Sequence, residues 1–399
     1  MKVVLLYILI IFLIFTSSLK SNELKKYNIV FIDVIDDPRY KKWGIHPVDI
    51  RSKLTKEKRA IEGAKLAIEE SKKIERLTKT KFTLKHIRLK NFEKALNYLK
   101  TEKIKNFNTV LLDLHIKNFE ALNEIIKKNN VSIFFNVSDP NNKLRKQICL
   151  ANFFHTIPSN QMLTDSVSQY LIKKKWNKSL LLTGPLDKDM DYSNSFRTSA
   201  KKFGIKIINE KFFVNNNDPR VRDKNDLSFL TKGKKYNNVF VSDIDGEFSL
   251  SVPNATMNNA LVTGSAGLIP KAWHWSYLRH GAPQLNGRFE RLNNRRMNSE
   301  DWAAWISIKT IIESILRTQK VINSNIIKYI KSSSFQLDGS KGISLNYKDK
   351  INQLRQTILL VSSNNWVTAK IPLEDFQNRK NNLDTIGISV NDTNCEKGD

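Results

Sequence analysis

Apolar and polar positions along this chain follow two alternating periods. Short apolar runs occur at Tyr27–Val34 (YNIVFIDV), Phe82–Leu89, Val110–Leu114 and Val131–Val137. Between them apolar residues return every three or four positions: Ile61, Ala64, Ala67 and Ile68 within residues 55–75, then Phe92, Ala95, Leu96 and Leu99, then Leu122, Ile125 and Ile126. The runs predict buried strands and the three-to-four spacing predicts helices with one apolar face. Strands alternating with helices of this length predict right-handed βαβ units and an α/β fold, its parallel sheet covered on both faces.

The pattern restarts after residue 157. A helix over Leu163, Val167, Tyr170 and Leu171 precedes a strand at Ser179–Thr183, a helix over 189–203 and a strand at Ile205–Val214. Strands at Val239–Ser242 and Ala260–Gly264 complete a second unit. Two runs of similar order predict two related lobes: 22–157, to which 273–332 returns, and 158–272, to which 333–375 returns. No Gly- or Pro-rich linker separates them, so several crossovers are expected. Residues 323–332 predict a short helix, and Ile343–Tyr347, Thr357–Ser362 and Val367–Ile371 predict strands at hairpin spacing. Residues 376–399 read as a polar tail.

The crossing back to the first lobe runs through residues 273–318, which hold four of the seven tryptophans. Residues 273–298 read as a basic, aromatic loop. Ser299 suits an N-cap, and Trp302, Trp305, Ile308, Ile312, Ile315 and Leu316 then mark one helical face.

Charge and the amino terminus add compartment. Lys2 precedes an apolar run, Val3–Phe15, and then Thr16, Ser17, Ser18 and Ser21. That is the pattern of a secretory signal over residues 1–21, too short for an ordinary membrane span, with an uncleaved anchor as the alternative. The 66 Lys and Arg against 39 Asp and Glu give a formal charge of +27, dispersed over the chain. Dispersed charge reads as solvated surface, and as a general bias toward acidic partners. Cys149 and Cys395 are the only cysteines; in an oxidising compartment they form one disulfide or remain two thiols.

The motifs of enzymes are missing. There is no phosphate loop, dinucleotide fingerprint, GxSxG elbow or HExxH, and the six histidines lack metal-ligand spacing. No nucleic-acid recognition motif accompanies Arg288, Arg291, Arg295 and Arg296. Ligands of open parallel sheets sit beyond the carboxyl ends of strands. The candidates there are Arg39, Tyr40, Asp113, His115, Ser138 and Arg145 in the first lobe. Asp187, Asp243, Trp273 and Trp275 follow from the second lobe and the return crossing. Indoles beside guanidinium groups suit a flat anion, because Arg pairs with carboxylates and Trp stacks on planar rings; both tryptophans as core or hinge packing is the alternative.

Several segments carry a resemblance: DDPRY (36–40), LRKQICLANFFHTIPSNQMLTD (144–165), AWHWSYLRHGAPQLNGRFERLNNRRM (272–297), DWAAWISIKTIIESILRT (301–318), FQLDGSKGISLNY (335–347), LRQTILLV (354–361) and LDTIG (383–387) with Cys395. The chain resembles the type I periplasmic substrate-binding proteins of ABC importers of the branched-chain amino acid and amide class. More narrowly, it is similar to the subfamily associated with pyrroloquinoline quinone (PQQ)-dependent alcohol dehydrogenase systems. The resemblance implies a two-lobed type I fold, a monomer in the periplasm, no catalytic activity, no prosthetic group, and an ABC permease as partner. It implies PQQ, or a metabolite of PQQ-dependent alcohol oxidation, as the bound ligand. A sensor or cofactor-delivery protein for a PQQ-dependent dehydrogenase is the alternative, and an amino-acid or amide binder a second. The Ser/Thr pocket pattern of amino-acid binders is absent from the early strand ends, which read DDPRY, LDLHIKN and NVSDP.

Overall fold

The computed structural model describes residues 24–40, 59–214, 219–244, 246 and 248–396. The apolar segment 1–21, the first turn of the helix expected over 55–75, and Asp245 lie outside the described residues.

The first sheet is built by β1 (Lys25–Val34), β2 (Thr80–Leu89), β3 (Thr109–Asp113), β4 (Ile133–Asn136) and β5 (Phe153–His155), all parallel. Helices α1 (Ile61–Ser71), α2 (Phe92–Leu99), α3 (Phe119–Lys128) and α4 (Asn142–Gln147) alternate with these strands. Asn91 and Asn118 cap α2 and α3 by accepting from Lys94 N and Ala121 N, which supplies backbone donors that a helix start cannot satisfy itself. The central strands β3 and β4 are buried throughout, as a sheet covered on both faces requires.

The second unit holds α5 (Asn160–Lys173), β6 (Lys178–Thr183), α6 (Asp187–Phe203), β7 (Lys206–Phe212), the short α7 (Leu227–Thr231), β8 (Asn238–Ser242) and β9 (Leu261–Gly264). Its sheet runs β7-β6-β8-β9, all parallel. Strand β10 (Ile269–Lys271) then begins a small antiparallel sheet completed by β14 (Ile358–Val361) and β15 (Val367–Ile371).

Between β10 and β14 the chain returns to the first unit. It forms α8 (Ala282–Asn293), α9 (Ser299–Thr318), α10 (Asn323–Ile330), β11 (Leu337–Asp338), β12 (Ser344–Lys348) and β13 (Gln353–Arg355). Strand β13 pairs parallel with β5 through Gln353 and His155, so the first sheet has eight strands. The sequence reading assigned 333–375 wholly to the second lobe. Pairing instead divides it, with 337–355 on the first sheet and 358–371 beside the second unit. Among the described residues the stretches 156–159, 272–281 and 356–357 connect the units, and the segment after β15 returns to the first unit at Cys149.

Local differences from the expectation have physical reasons. Residues 282–293 are helix, not loop: Ala282, Leu285 and Phe289 form a narrow buried stripe among many polar residues. Asn298, not Ser299, caps α9. Its side chain accepts from Asp301 N at 2.8 Å and its own N–H donates to Asp301 Oδ2 at 3.0 Å, a reciprocal box. The Ser299 hydroxyl is engaged with the Trp273 backbone instead. The carboxyl-terminal residues are not a free tail. Leu383, Ile386, Ile388 and Cys395 are buried, Arg355 clamps Asp384 at 2.8 and 3.0 Å, and Cys395 is bonded to Cys149 with Cα atoms 5.2 Å apart.

Four apolar clusters fill the four faces of the two sheets. The largest joins one face of the first sheet to α1, α8, α9 and α10. Helix α9 is buried over most of its circumference, beyond the single face expected. It meets α1 so closely that a Cβ at Gly63 would overlap the Asp301 carbonyl oxygen.

Candidate functional site

The carboxyl ends of β1, β3 and β4 bring several candidate side chains together, and they satisfy one another. Arg39 donates to Asp37 Oδ1 at 3.0 Å and to Asp113 Oδ1 at 2.8 Å, and the buried Tyr40 hydroxyl donates to Asp113 Oδ2 at 2.6 Å. Arg39 holds the Asp37 carboxyl below the usual range, against the opposing effect of burial. The cluster therefore spends its charge internally. His115, half-exposed, stands 3.7 Å from Asp139, whose carboxylate already accepts from Ile116 N and Asn141 N.

Arg145 lies elsewhere. It is fully buried and donates to Gln353 Oε1 (2.9 Å), Asp139 O (2.7 Å), Asn141 O (2.9 Å) and Ile157 O (2.9 Å). Burial pulls its pKa down to about 9, against the pull of Asp139 in the other direction. It ties the crossing at 156–159 to β13. Asp243 is likewise a structural group: buried, it accepts from Ser249 N at 2.7 Å and fixes the turn after β8. Asp187 is exposed at the start of α6.

A cavity of about 920 Å³ opens where the units meet. Ser138 and Pro140 beyond β4, and Ile157 and Pro158 of the first crossing, form one side. Ile269–Trp275 of the second crossing and Asn294–Glu300 before and at the start of α9 form another. Leu163 of α5 and Asn365, between β14 and β15, come from the second unit. Of the ten candidates, Ser138, Trp273 and Trp275 line this cavity and the other seven do not.

The two tryptophans differ. Trp273 is fully buried, stacked on Trp302 with ring centres 6.1 Å apart, its Nε1 donating to Asn286. Trp275 is half-buried, and the Arg296 guanidinium lies 3.4 Å from its ring centre, within cation–π range. Arg295, by contrast, is spent on Asp301 at 2.6 and 2.7 Å. His274 is buried between them. Its Nδ1 faces the Ser276 hydroxyl at 2.7 Å, and burial, with Lys271 and Arg296 adding, pushes its pKa down to about 4. It is neutral at pH 7. The wall also carries Glu290 and Glu300, so it is mixed in sign. The buried Ser138 hydroxyl, at the cavity edge, has no hydrogen-bond partner.

The sequence reading places His274 within the candidate stretch Trp273–Trp275, and names Arg296 only as part of a basic cluster. Lys271, Asn298, Glu300 and Asn365 carried no signal, because they meet only through the crossings. Among the described residues, no group of three or more His, Cys, Asp and Glu side chains could hold a metal ion. No helix there is long and apolar enough to cross a membrane.

No protein-family model matches the sequence, and no curated protein matches it. Solved structures do match the fold. A periplasmic binding protein from Burkholderia mallei superposes with a TM-score of 0.67 at 11% identity, covering 93% of this chain and 98% of that one. The leucine-, isoleucine-, valine-, threonine- and alanine-binding protein of Brucella ovis, in its closed conformation, gives 0.64 at 10% identity over 85% and 90%. A solute-binding protein of an ABC transporter from Rhodopseudomonas palustris BisB5, in complex with 3,4-dihydroxybenzoic acid, gives 0.63 at 12% identity over 86% and 97%. The architecture is thus the two-lobed α/β fold of ligand-binding proteins that serve ABC transporters. Within that class it is the type I form, the fold of the branched-chain amino acid binders.

Proposed function

We propose that this chain is the exported solute-binding protein of an ABC importer, and that its ligand is a small planar aromatic carboxylate. PQQ, flat and triply carboxylated, is the specific ligand proposed. The single observation that carries the reading is Arg296 stacked on half-buried Trp275 in the cleft between the units. The ring contact holds the guanidinium in place, and its N–H fork, which donates no hydrogen bond among the described residues, stays available for a carboxylate. A cavity of 920 Å³ falls within the range of roughly 300–1,000 Å³ usual for small-molecule sites. The neutral His274 adds a polar contact without a charge. Because both units wall the cavity, a ligand touching both favours the closed arrangement, which is then presented to the permease. The protein carries out no chemistry on its guest.

An amino acid is the second reading. Glu300 favours it: this half-buried carboxylate in the cleft makes no side-chain hydrogen bond among the described residues and suits an ammonium group. Titration of the chain from residue 22 onward, read by tryptophan fluorescence, separates the two. Saturable micromolar quenching by PQQ or benzoate, and not by leucine, supports the aromatic anion. The reverse selectivity supports the amino acid, and silence from all three removes both.

A further inference from the structure

A second cavity, of about 520 Å³, is lined by residues 276–280 and 366–370. Its walls again come from both units: Tyr277, Leu278 and Arg279 ahead of α8, and Trp366 and Lys370 on and beside β15. No acidic side chain lines it. Among the described residues Arg279 has no ion-pair partner or side-chain hydrogen bond, and Lys370 reaches the Lys341 carbonyl at 3.4 Å. The two cations disfavour each other, since Arg279 adds to burial in lowering the Lys370 pKa. Trp366 and Leu278 are 62% and 65% exposed beside these charges.

We infer that this is a second small-molecule site, for an organic anion with a flat apolar body. Its carboxylate bridges Arg279 and Lys370, and its ring covers Trp366 and Leu278. Such an anion supplies what these side chains lack: a counter-charge for two neighbouring cations and a flat partner for an exposed indole. The site is independent of the cleft residues Trp275 and Arg296, and does not rest on the function proposed above.

Benzoate is the probe, followed by calorimetry and by fluorescence of the chain from residue 22 onward. The wild type is expected to bind two equivalents. Arg279→Gln with Lys370→Gln weakens one of them roughly 10- to 100-fold, the worth of a charge-assisted hydrogen bond, and Trp366→Phe removes the fluorescence change of that site alone. Arg279→Gln alone, a change at an exposed position, weakens it less and guards against misfolding of the double variant. Arg296→Gln leaves it intact. Binding of one equivalent that the Arg279 and Lys370 changes do not touch overturns the inference while leaving the cleft reading standing. If Arg296→Gln has no effect but the Arg279 and Lys370 changes do, the cleft reading fails and this one holds.

Discussion

Replacing Arg145 with Met should damage the fold and spare ligand binding, which reverses what its position near a strand end suggested. The guanidinium makes four hydrogen bonds in a fully buried site. At about 1.5–3 kcal/mol for each bond to a charged group, they contribute about 6–12 kcal/mol gross. Against this stands charge burial. A pKa drawn from 12.5 to about 9 corresponds to about 5 kcal/mol of unfavourable desolvation. The difference centres near 4 kcal/mol, in line with the roughly 3–5 kcal/mol cost of breaking a buried charged interaction. Methionine fills much of the volume but leaves the Asn141 carbonyl without its side-chain donor, and Asp139 O and Ile157 O each with one donor fewer. The assay is urea unfolding of wild type and variant, with ligand affinity measured on the folded fraction. A loss of about 4 kcal/mol with affinity unchanged within about threefold is expected. A loss below about 1 kcal/mol, or a tenfold loss of affinity at wild-type stability, would refute the reasoning.

Other expectations follow from the same geometry. His274, with its folded pKa near 4 against 6.5 for the free side chain, stabilises the fold fully above pH 6.5. As pH falls, the unfolded chain takes up the proton first, so stability drops by about 2.5 kcal/mol by pH 4.5. His155, pushed down by burial and Arg145, acts in the same direction. The urea midpoint should therefore fall on acidification, and less so in His274→Gln; equal slopes would contradict the assignment. Gly63→Ala should cost several kcal/mol, on the order of 3, because the new methyl must drive α1 from α9; an unchanged melting temperature would show that the helix contact is looser than described. Trp275→Ala should weaken PQQ binding about tenfold, the worth of a lost stacked ring and its cation–π partner, while Trp273→Phe, a change in the core, should act mainly on stability.

Much of the architecture could be read from the chain because period alone encodes it. The buried run Val110–Leu114 and the three-to-four spacing of Phe92, Ala95, Leu96 and Leu99 are local signals, and the structure places them within a residue. What period could not show is which sheet a strand joins. Strand β13 is three residues long and finds β5 across nearly 200 positions, so nothing near it announces the pairing. The site was harder still. Strand-end position pointed to Arg39 and Asp113, but an ion pair closes on itself without regard to sequence distance, and these two consume each other. Arg296 and Arg295 look alike in sequence; only folding reveals that one is held by Asp301 and the other rests on an indole. The tail misled for a similar reason, since its few apolar residues are spaced singly among polar ones, yet Leu383, Ile386, Ile388 and Cys395 are buried.

The most direct measurement is a crystal structure of the chain from residue 22 onward, grown with whichever aromatic carboxylate binds most tightly in titration. The ligand should lie between the two units, its ring against Trp275 and a carboxylate on the Arg296 fork. A ligand bound outside that cavity, or one that leaves Arg296 untouched within it, would contradict the account.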